Sequence, residues 1–516
     1  MKDSRTKNAL RNMIFGFFNK FVVLLFPFII RTVIIKTLGS EYLGLNSLFI
    51  SILQVLNLAE LGFSAAIVYS MYKPIAENDT KTICALMNLY KKIYRVIGFT
   101  VMAIGLFLLL FLKFFIKGAY PTDINIYYLY LIYLFNTAIT YFLFAYKSAL
   151  LTAHQRSDVT SNVQTITYLI QYTIQIIILC VLKNYYLFIT VQIVTTILNN
   201  VWIAVITNKK YPKYKCNGTV DKETKKDIKK RVTGLMIQKI CVTTRNSLDS
   251  IFISAFLGLN IVAIYSNYYS IMSAIIGVMG IITSAMVAGI GNSIVTETID
   301  KNYKDMNKFN FIYMWLAGWC TICLACLYQP FMKLWMGEDY MLSFGMVILF
   351  CIYFYSLKMG DIRAAYSDAK GLWWENKYRA ILETVANIVL NLALVHFLGL
   401  YGIILGTLLS LLIINFGYGS QILFKFYFND KKISDFFIRH AVYALVTLIV
   451  GSFTYFICSL IKANGIFEII IKLIVCLIIP NVSYIIIYRN TRIYKESTKI
   501  FINIISKIKN KLVTHN

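Results

Sequence analysis

Apolar runs broken by short polar or glycine-bearing stretches cover nearly the whole chain. Windows of roughly twenty apolar residues, the length of helix that crosses a bilayer core, fall at 12–35, 42–72, 93–115, 124–147, 162–182, 186–207, 232–257, 260–292, 309–332, 340–364, 379–397, 401–424, 438–461 and 467–488. The pattern predicts an all-α polytopic membrane protein with about 14 transmembrane helices. Several outer connections are tight, as between Gly258 and Asn260 and between Leu398 and Tyr401, and leave no room for an outer domain. With the N-terminus inside and the spans alternating, the inner segments hold 38 of the 51 Lys and Arg and the outer ends seven. That asymmetry follows the positive-inside rule and puts both termini in the cytoplasm. The first run follows Lys2, Arg5, Lys7 and Arg11, as a signal peptide would. It continues past twenty residues through Asn19, Lys20, Pro27 and Arg31 without a small-residue cleavage site, so it reads as an uncleaved first span.

The longest inner loop, 208–231, is a basic run mixed with Asp and Glu. It separates an N-lobe of six helices (1–207) from a C-lobe holding helices 7–12 (232–436), with two extra helices over 437–488. The tail, 489–516, sets Ile500, Phe501, Ile504, Ile505, Ile508 and Leu512 at helical spacing among Lys499, Lys507, Lys509 and Lys511. Such a basic amphipathic helix lies on an anionic inner leaflet. A weak repeat crosses the linker: LGSEYLGLNSL from Leu38, LGLNIVAIYSN from Leu257 and LGLYGIILG from Leu398. Each Leu-Gly sits in a hairpin joining an odd helix to an even one, so the repeats are parallel, an arrangement that suits a transporter with its site between two lobes.

Composition narrows the class. With 58% hydrophobic and 15% charged residues and a mean hydropathy of +0.66, the chain is neither disordered nor an ordinary soluble globule. The net charge of +27 would suggest nucleic acid in a soluble protein; here it sets topology, and no nucleic-acid partner is expected. The ten cysteines form no disulfide framework. Cys320, Cys323 and Cys326 have the spacing of an iron–sulfur run, but they lie in an apolar helix with no loop to wrap a cluster and read as core. His154, His396, His440 and His515 are mutually distant, and there is no phosphate-binding GxxxxGK[ST]. Neither a metal, a cofactor nor enzymatic activity is expected.

Charges within the spans carry the functional reading, because a charge at bilayer depth costs several kcal/mol unless it faces protein, a counter-ion or water. Arg245 is the deepest, with Asp249 one helical turn on and Asn246 beside it. Lys20 and Arg31, eleven residues apart, fall about 20° from one another around a helix. Asn46, Asn57 and Glu60 share an arc of the second span; Gln164, Tyr168, Gln171 and Gln175 make a polar stripe on the fifth; Lys358, Asp361, Arg363 and Asp368 cluster on the tenth. Together they predict a central hydrophilic cavity. Arg245, Lys20, Arg31 and Lys358 are its candidate anion contacts, and Glu60, Asp249, Asn57 and Gln171 its candidate lining or ion-coupling groups. Competing readings stay open: Lys239 and Arg363 reaching the inner surface, Arg31 the outer headgroups, Lys20 snorkelling, Arg245–Asp249 as a structural pair, Glu60 as a protonated packing residue.

Fourteen helices, a basic linker after the sixth and cations in the lobes resemble the multidrug/oligosaccharidyl-lipid/polysaccharide (MOP) exporter superfamily. Within it the chain is similar to the Wzx-type polysaccharide (O-antigen/capsule) repeat-unit flippases. The stretch from LGSEYLGLNSLFISILQVLNLAELGFSAAIVYSMYKPI, with Glu60–Gly62 at its turn, and RNSLDSIFISAFLGLNIVAIYSNYYSI from Arg245 carry the likeness. The resemblance implies a multi-pass protein of the bacterial cytoplasmic membrane that turns an undecaprenyl-diphosphate-linked glycan from the inner to the outer leaflet, amid membrane lipids and alongside polysaccharide polymerase machinery. It implies two lobes opening alternately, with the four cations as diphosphate contacts. Rival readings are a lipid II flippase, a multidrug/cation antiporter, and a membrane enzyme such as a polymerase. Antiporters of the superfamily tend to carry an acid on the first helix, where this chain has Lys20 and Arg31.

Overall fold

The structure is a computed structural model and describes residues 5–57, 63–118 and 120–499. Among these residues every regular element is helical, and the chain divides into two compact units, Met1–Ser266 and Asn267–Asn516.

The first unit contains α1 (Arg5–Thr37), α2 (Ser40–Leu56), α3 (Phe63–Glu77), α4 (Thr80–Leu109), α5 (Ile126–Phe142), α6 (Lys147–Ala153), α7 (Ser157–Ile177, continued by a π-helical turn to Leu182), α8 (Tyr185–Lys210), α9 (Lys222–Leu257) and the start of α10 (Leu259–Thr296). Polar residues set the helix starts. Asp79, Asn125, Asn184 and Asp221 each accept a backbone N–H from the first turn of the helix that follows, the ordinary role of an N-cap. The hydrogen bonds from Thr82 and Thr224 hold the Asp79 and Asp221 carboxyls below their usual pKa. Because α9 begins at Lys222 and α8 ends at Lys210, only about half of the basic linker is non-helical; the rest is the end of α8 and the first turns of α9. The core is organised round α2, whose Leu43, Leu45, Leu48 and Phe49 are fully buried among α1, α4, α5 and α9. Gly44 permits this: a Cβ there would overlap the carbonyl of Leu259.

The second unit continues with α11 (Ile299–Met336), α12 (Phe344–Met359), α13 (Asp361–Lys370), α14 (Lys377–Leu398), α15 (Leu400–Ser410), a π-helical run over Leu411–Tyr418, α16 (Gly419–Phe426), α17 (Ile433–Ser459) and α18 (Gly465–Tyr488). Here α11 is the hub, packed against α12, α17 and α18. Phe311 and Trp315 meet Tyr443, Tyr484 and Tyr488 in an aromatic cluster, and Trp315 Nε1 donates to Asn481 Oδ1 at 2.8 Å.

Among the described residues, each of the fourteen apolar windows contains helix. Among the described residues, eleven helices are long and apolar enough to cross a membrane, and twelve if α5 and α6, bent by 55°, form one span. Of the other two windows, 42–72 is split between α2 and α3, and 232–257 lies in α9, which carries Arg245 and Asp249. The three Leu-Gly hairpins share one backbone device: Gly39, Gly258 and Gly399 all have positive φ (+116°, +94° and +54°), where a side chain is strained. Gly39 and Gly258 also share ψ near 170°, whereas Gly399 turns at ψ −128°.

Candidate functional site

In the first unit the polar residues of the spans turn inward. Arg31, half-buried on α1, donates from Nη1 to Ser266 Oγ at 2.9 Å, and Ser47 Oγ on α2 donates to the same oxygen at 3.1 Å. A guanidinium in a span thus donates to one hydroxyl, which a second hydroxyl contacts in turn. Arg245 and Asp249 are both buried on α9, 4% and 1% exposed, and Tyr265 donates its hydroxyl to Asp249 Oδ2 at 3.1 Å. Asn57 accepts from Tyr141 OH at 3.0 Å. Lys20 is exposed, beside the exposed rings of Phe17, Phe18 and Phe21, and makes no ion pair among the described residues. Arg31, one predicted face with it, is instead turned into the unit. Asn19 ties α1 to α7 through Ser161 and Thr165. Glu60, the basic tail beyond Lys499 and the Lys239 side chain lie outside the described residues.

Gln171 lines a cavity of about 280 Å³ enclosed by α4–α8. Its lining is neutral and polar: Gln164, Thr167, Thr195, Thr196, Asn199 and Asn200 all face it. Thr195 donates to Gln171 Oε1 at 2.9 Å, while the buried amide nitrogen of Asn200 has no hydrogen-bond partner.

The second unit holds a separate charged cluster. Lys358 is 3% exposed and its Nζ lies 2.7 Å from Asp361 Oδ2, which also accepts from Tyr313 OH; the cation is therefore already paired. Nearby in sequence, Arg363 is buried against α14–α16. Its Nη2 donates to Asn415 Oδ1 at 3.1 Å, its Nε is buried without a partner, and it forms no ion pair among the described residues. Asn415 in turn donates to Glu383 Oε2 at 2.8 Å, and Arg379 Nη1 reaches the same oxygen at 2.6 Å. Arg379, Glu383 and Asn415 were not singled out from sequence. Arg379 sits where a helix leaves a basic loop and counts there as a topological charge, and its i, i+4 spacing to Glu383 was the one available signal.

Each helical unit thus holds its own body of charged and amide groups. The profile of the family described as "Polysaccharide biosynthesis protein" matches residues 9–288. The chain belongs to this family. Its fold is similar to solved MOP-superfamily transporters. A multidrug resistance MATE family transporter in an inward-facing conformation aligns at TM-score 0.60 and 15% identity over 77% of this chain and 93% of its own. A MOP superfamily transporter from Pyrococcus furiosus, reported with a binding pocket of reversed polarity, aligns at 0.55 and 14%, covering 82% and 97%. A Vibrio cholerae MATE transporter in the bent form aligns at 0.53 and 14%, over 85% and 99%. No curated protein matches the chain. At these identities the likeness is one of fold: an all-helical, multi-span membrane protein of MATE-like architecture.

Proposed function

We propose that this member of the polysaccharide biosynthesis protein family is a flippase that carries undecaprenyl-diphosphate-linked oligosaccharide repeat units across a bacterial cytoplasmic membrane by alternating access. The observation that carries the reading is the family match joined to a transporter fold. The chemistry of the spans supports it. A diphosphate needs cations, and Arg31 and Arg245 offer guanidinium forks suited to phosphate oxygens, with Lys20 as a point charge. Sugars need neutral donors and acceptors, and the cavity around Gln171 is lined with them. Lys358 contributes once a cargo anion competes with Asp361. Asp249, Asn57 and Glu60 are the remaining candidates for lining or ion coupling.

In this mechanism the diphosphate enters an inward-open cleft and pairs with the cations while its polyprenyl tail stays in lipid. The lobes exchange openings and the head group leaves outward. An inside-negative potential assists, since each negative charge moved outward gains ~2.3 kcal/mol per 100 mV. The fold neighbours include multidrug transporters, which keeps a cation antiporter as the second reading. Against it, α1 contains Lys20 and Arg31 and no acidic residue.

The test is the lipid-linked oligosaccharide pool of cells lacking the gene. Complete repeat units accumulating on undecaprenyl diphosphate at the inner leaflet, cleared by the restored gene, support the flippase. Normal surface polysaccharide with no accumulation refutes it, and growth arrest with accumulation of the peptidoglycan precursor instead would identify a lipid II flippase.

A further inference from the structure

Three of the ten cysteines, dispersed in sequence, come together in the second unit. Cys326 on α11, Cys458 on α17 and Cys476 on α18 place their sulfurs within 4.8 Å of one another, all three buried. Cys323 lies one turn before Cys326 on α11. The CTICLAC run therefore supplies one of its three cysteines to the cluster, and helices more than a hundred residues away complete it. We infer that Cys326, Cys458 and Cys476 form a binding site for a single soft d¹⁰ cation, copper(I), which fastens α17 and α18 to α11.

Three arguments select this ion. Sulfur ligands favour soft metals, copper(I) and zinc among the common ones. Geometry favours three-coordination: with metal–sulfur bonds of ~2.3 Å, sulfurs around a trigonal ion stand ~4 Å apart, so small side-chain rotations bring the observed trio into place. Charge separates the two metals, because an uncompensated ion is costly in an apolar interior. Copper(I) binding to three thiols is neutral after one proton leaves: one thiolate and two thiols ligate Cu⁺, and one H⁺ goes to solvent. Zinc(II) would need two thiols deprotonated to reach neutrality and a fourth ligand to complete its tetrahedron.

The test is anaerobic titration of the full-length protein in detergent micelles with copper(I), in competition with a chromogenic copper(I) chelator. The expected result is one copper per chain, with Cys326→Ser, Cys458→Ser and Cys476→Ser each weakening binding at least ~100-fold, beyond the tenfold to hundredfold loss seen for groups that merely orient a ligand. Cys180→Ser and Cys351→Ser, which lie outside the cluster, should leave it unchanged. X-ray absorption at the copper edge of the wild type, which requires no variant to fold, should give three sulfurs at ~2.3 Å. Unchanged affinity in the three serine variants, nitrogen or oxygen ligands at the metal, tighter binding of zinc(II), or a Cys458–Cys476 disulfide in the protein as isolated would each overturn the assignment.

Discussion

Lys358 near the end of α12 and Asp361 at the start of α13 are joined by an ion pair of 2.7 Å, the lysine side chain 4% exposed and the carboxylate 25%. Removing one partner of such a pair leaves a buried charge without compensation, costing about 3–5 kcal/mol, whereas replacing both with apolar residues of similar volume is close to neutral. Lys358→Met and Asp361→Leu should therefore each lower the thermal unfolding midpoint, and the double variant should recover most of the loss. A stable double variant that cannot restore surface polysaccharide would assign the pair to cargo handling; one that restores it fully would make the pair structural.

Glu383 is the carboxylate that receives both Arg379 and Asn415, and Asn415 in turn receives Arg363. Glu383→Gln keeps the shape and removes the charge, stranding two buried guanidiniums. We expect a loss of about 3–5 kcal/mol, against about 1–3 kcal/mol for Asn415→Ala, which removes one neutral hydrogen-bonding group. Thermal unfolding in detergent, followed by tryptophan fluorescence, checks the order. Equal losses would mean that the network is held by packing and not by the carboxylate.

Arg31 and Ser266 separate a cargo role from a structural one. Arg31→Ala should slow clearance of the lipid-linked pool roughly tenfold or more, the equivalent of one charged hydrogen bond of about 1.5–3 kcal/mol. Arg31→Lys should fall between, keeping the charge and losing the fork. Ser266→Ala should clear far better than Arg31→Ala, since it removes one neutral hydroxyl contact and leaves the guanidinium in place. If Ser266→Ala is as defective as Arg31→Ala, the hydroxyl contact, and not the cargo, is what Arg31 serves.

Helical architecture was legible because apolar periodicity and length act locally: among the described residues each window contains helix, though eleven or twelve spans stand where fourteen were expected, and the glycines at residues 39, 258 and 399 do adopt the positive φ that a tight hairpin demands. What escaped sequence reasoning is tertiary. Arg363, left open between the polar cluster of its span and the inner surface, is 3% exposed, packed against Gly419, and its partner Asn415 lies 52 positions away. The basic linker, read as one solvated stretch, becomes helix from Lys222, since Asp221 caps that end. Cys326, set aside as core, meets Cys458 and Cys476 across helices that no sequence spacing relates.

Two glycines of the first unit give opposite expectations from one substitution. At Gly16 on α1 an added Cβ meets nothing within 4 Å, and at Gly44 on α2 it would run into the carbonyl oxygen and carbon of Leu259. Alanine at Gly16 gains helix propensity, up to about 1 kcal/mol relative to glycine, so Gly16→Ala should leave the unfolding midpoint equal or raised. Gly44→Ala gains the same propensity but must push backbone against backbone, and overpacking of a tight contact costs about 1–3 kcal/mol. The net effect should be destabilising, because the obstacle is main chain and cannot rotate away. Parallel melting curves of the two variants decide it. If Gly44→Ala is as stable as Gly16→Ala, α2 and the start of α10 do not approach as closely in the membrane as they do here.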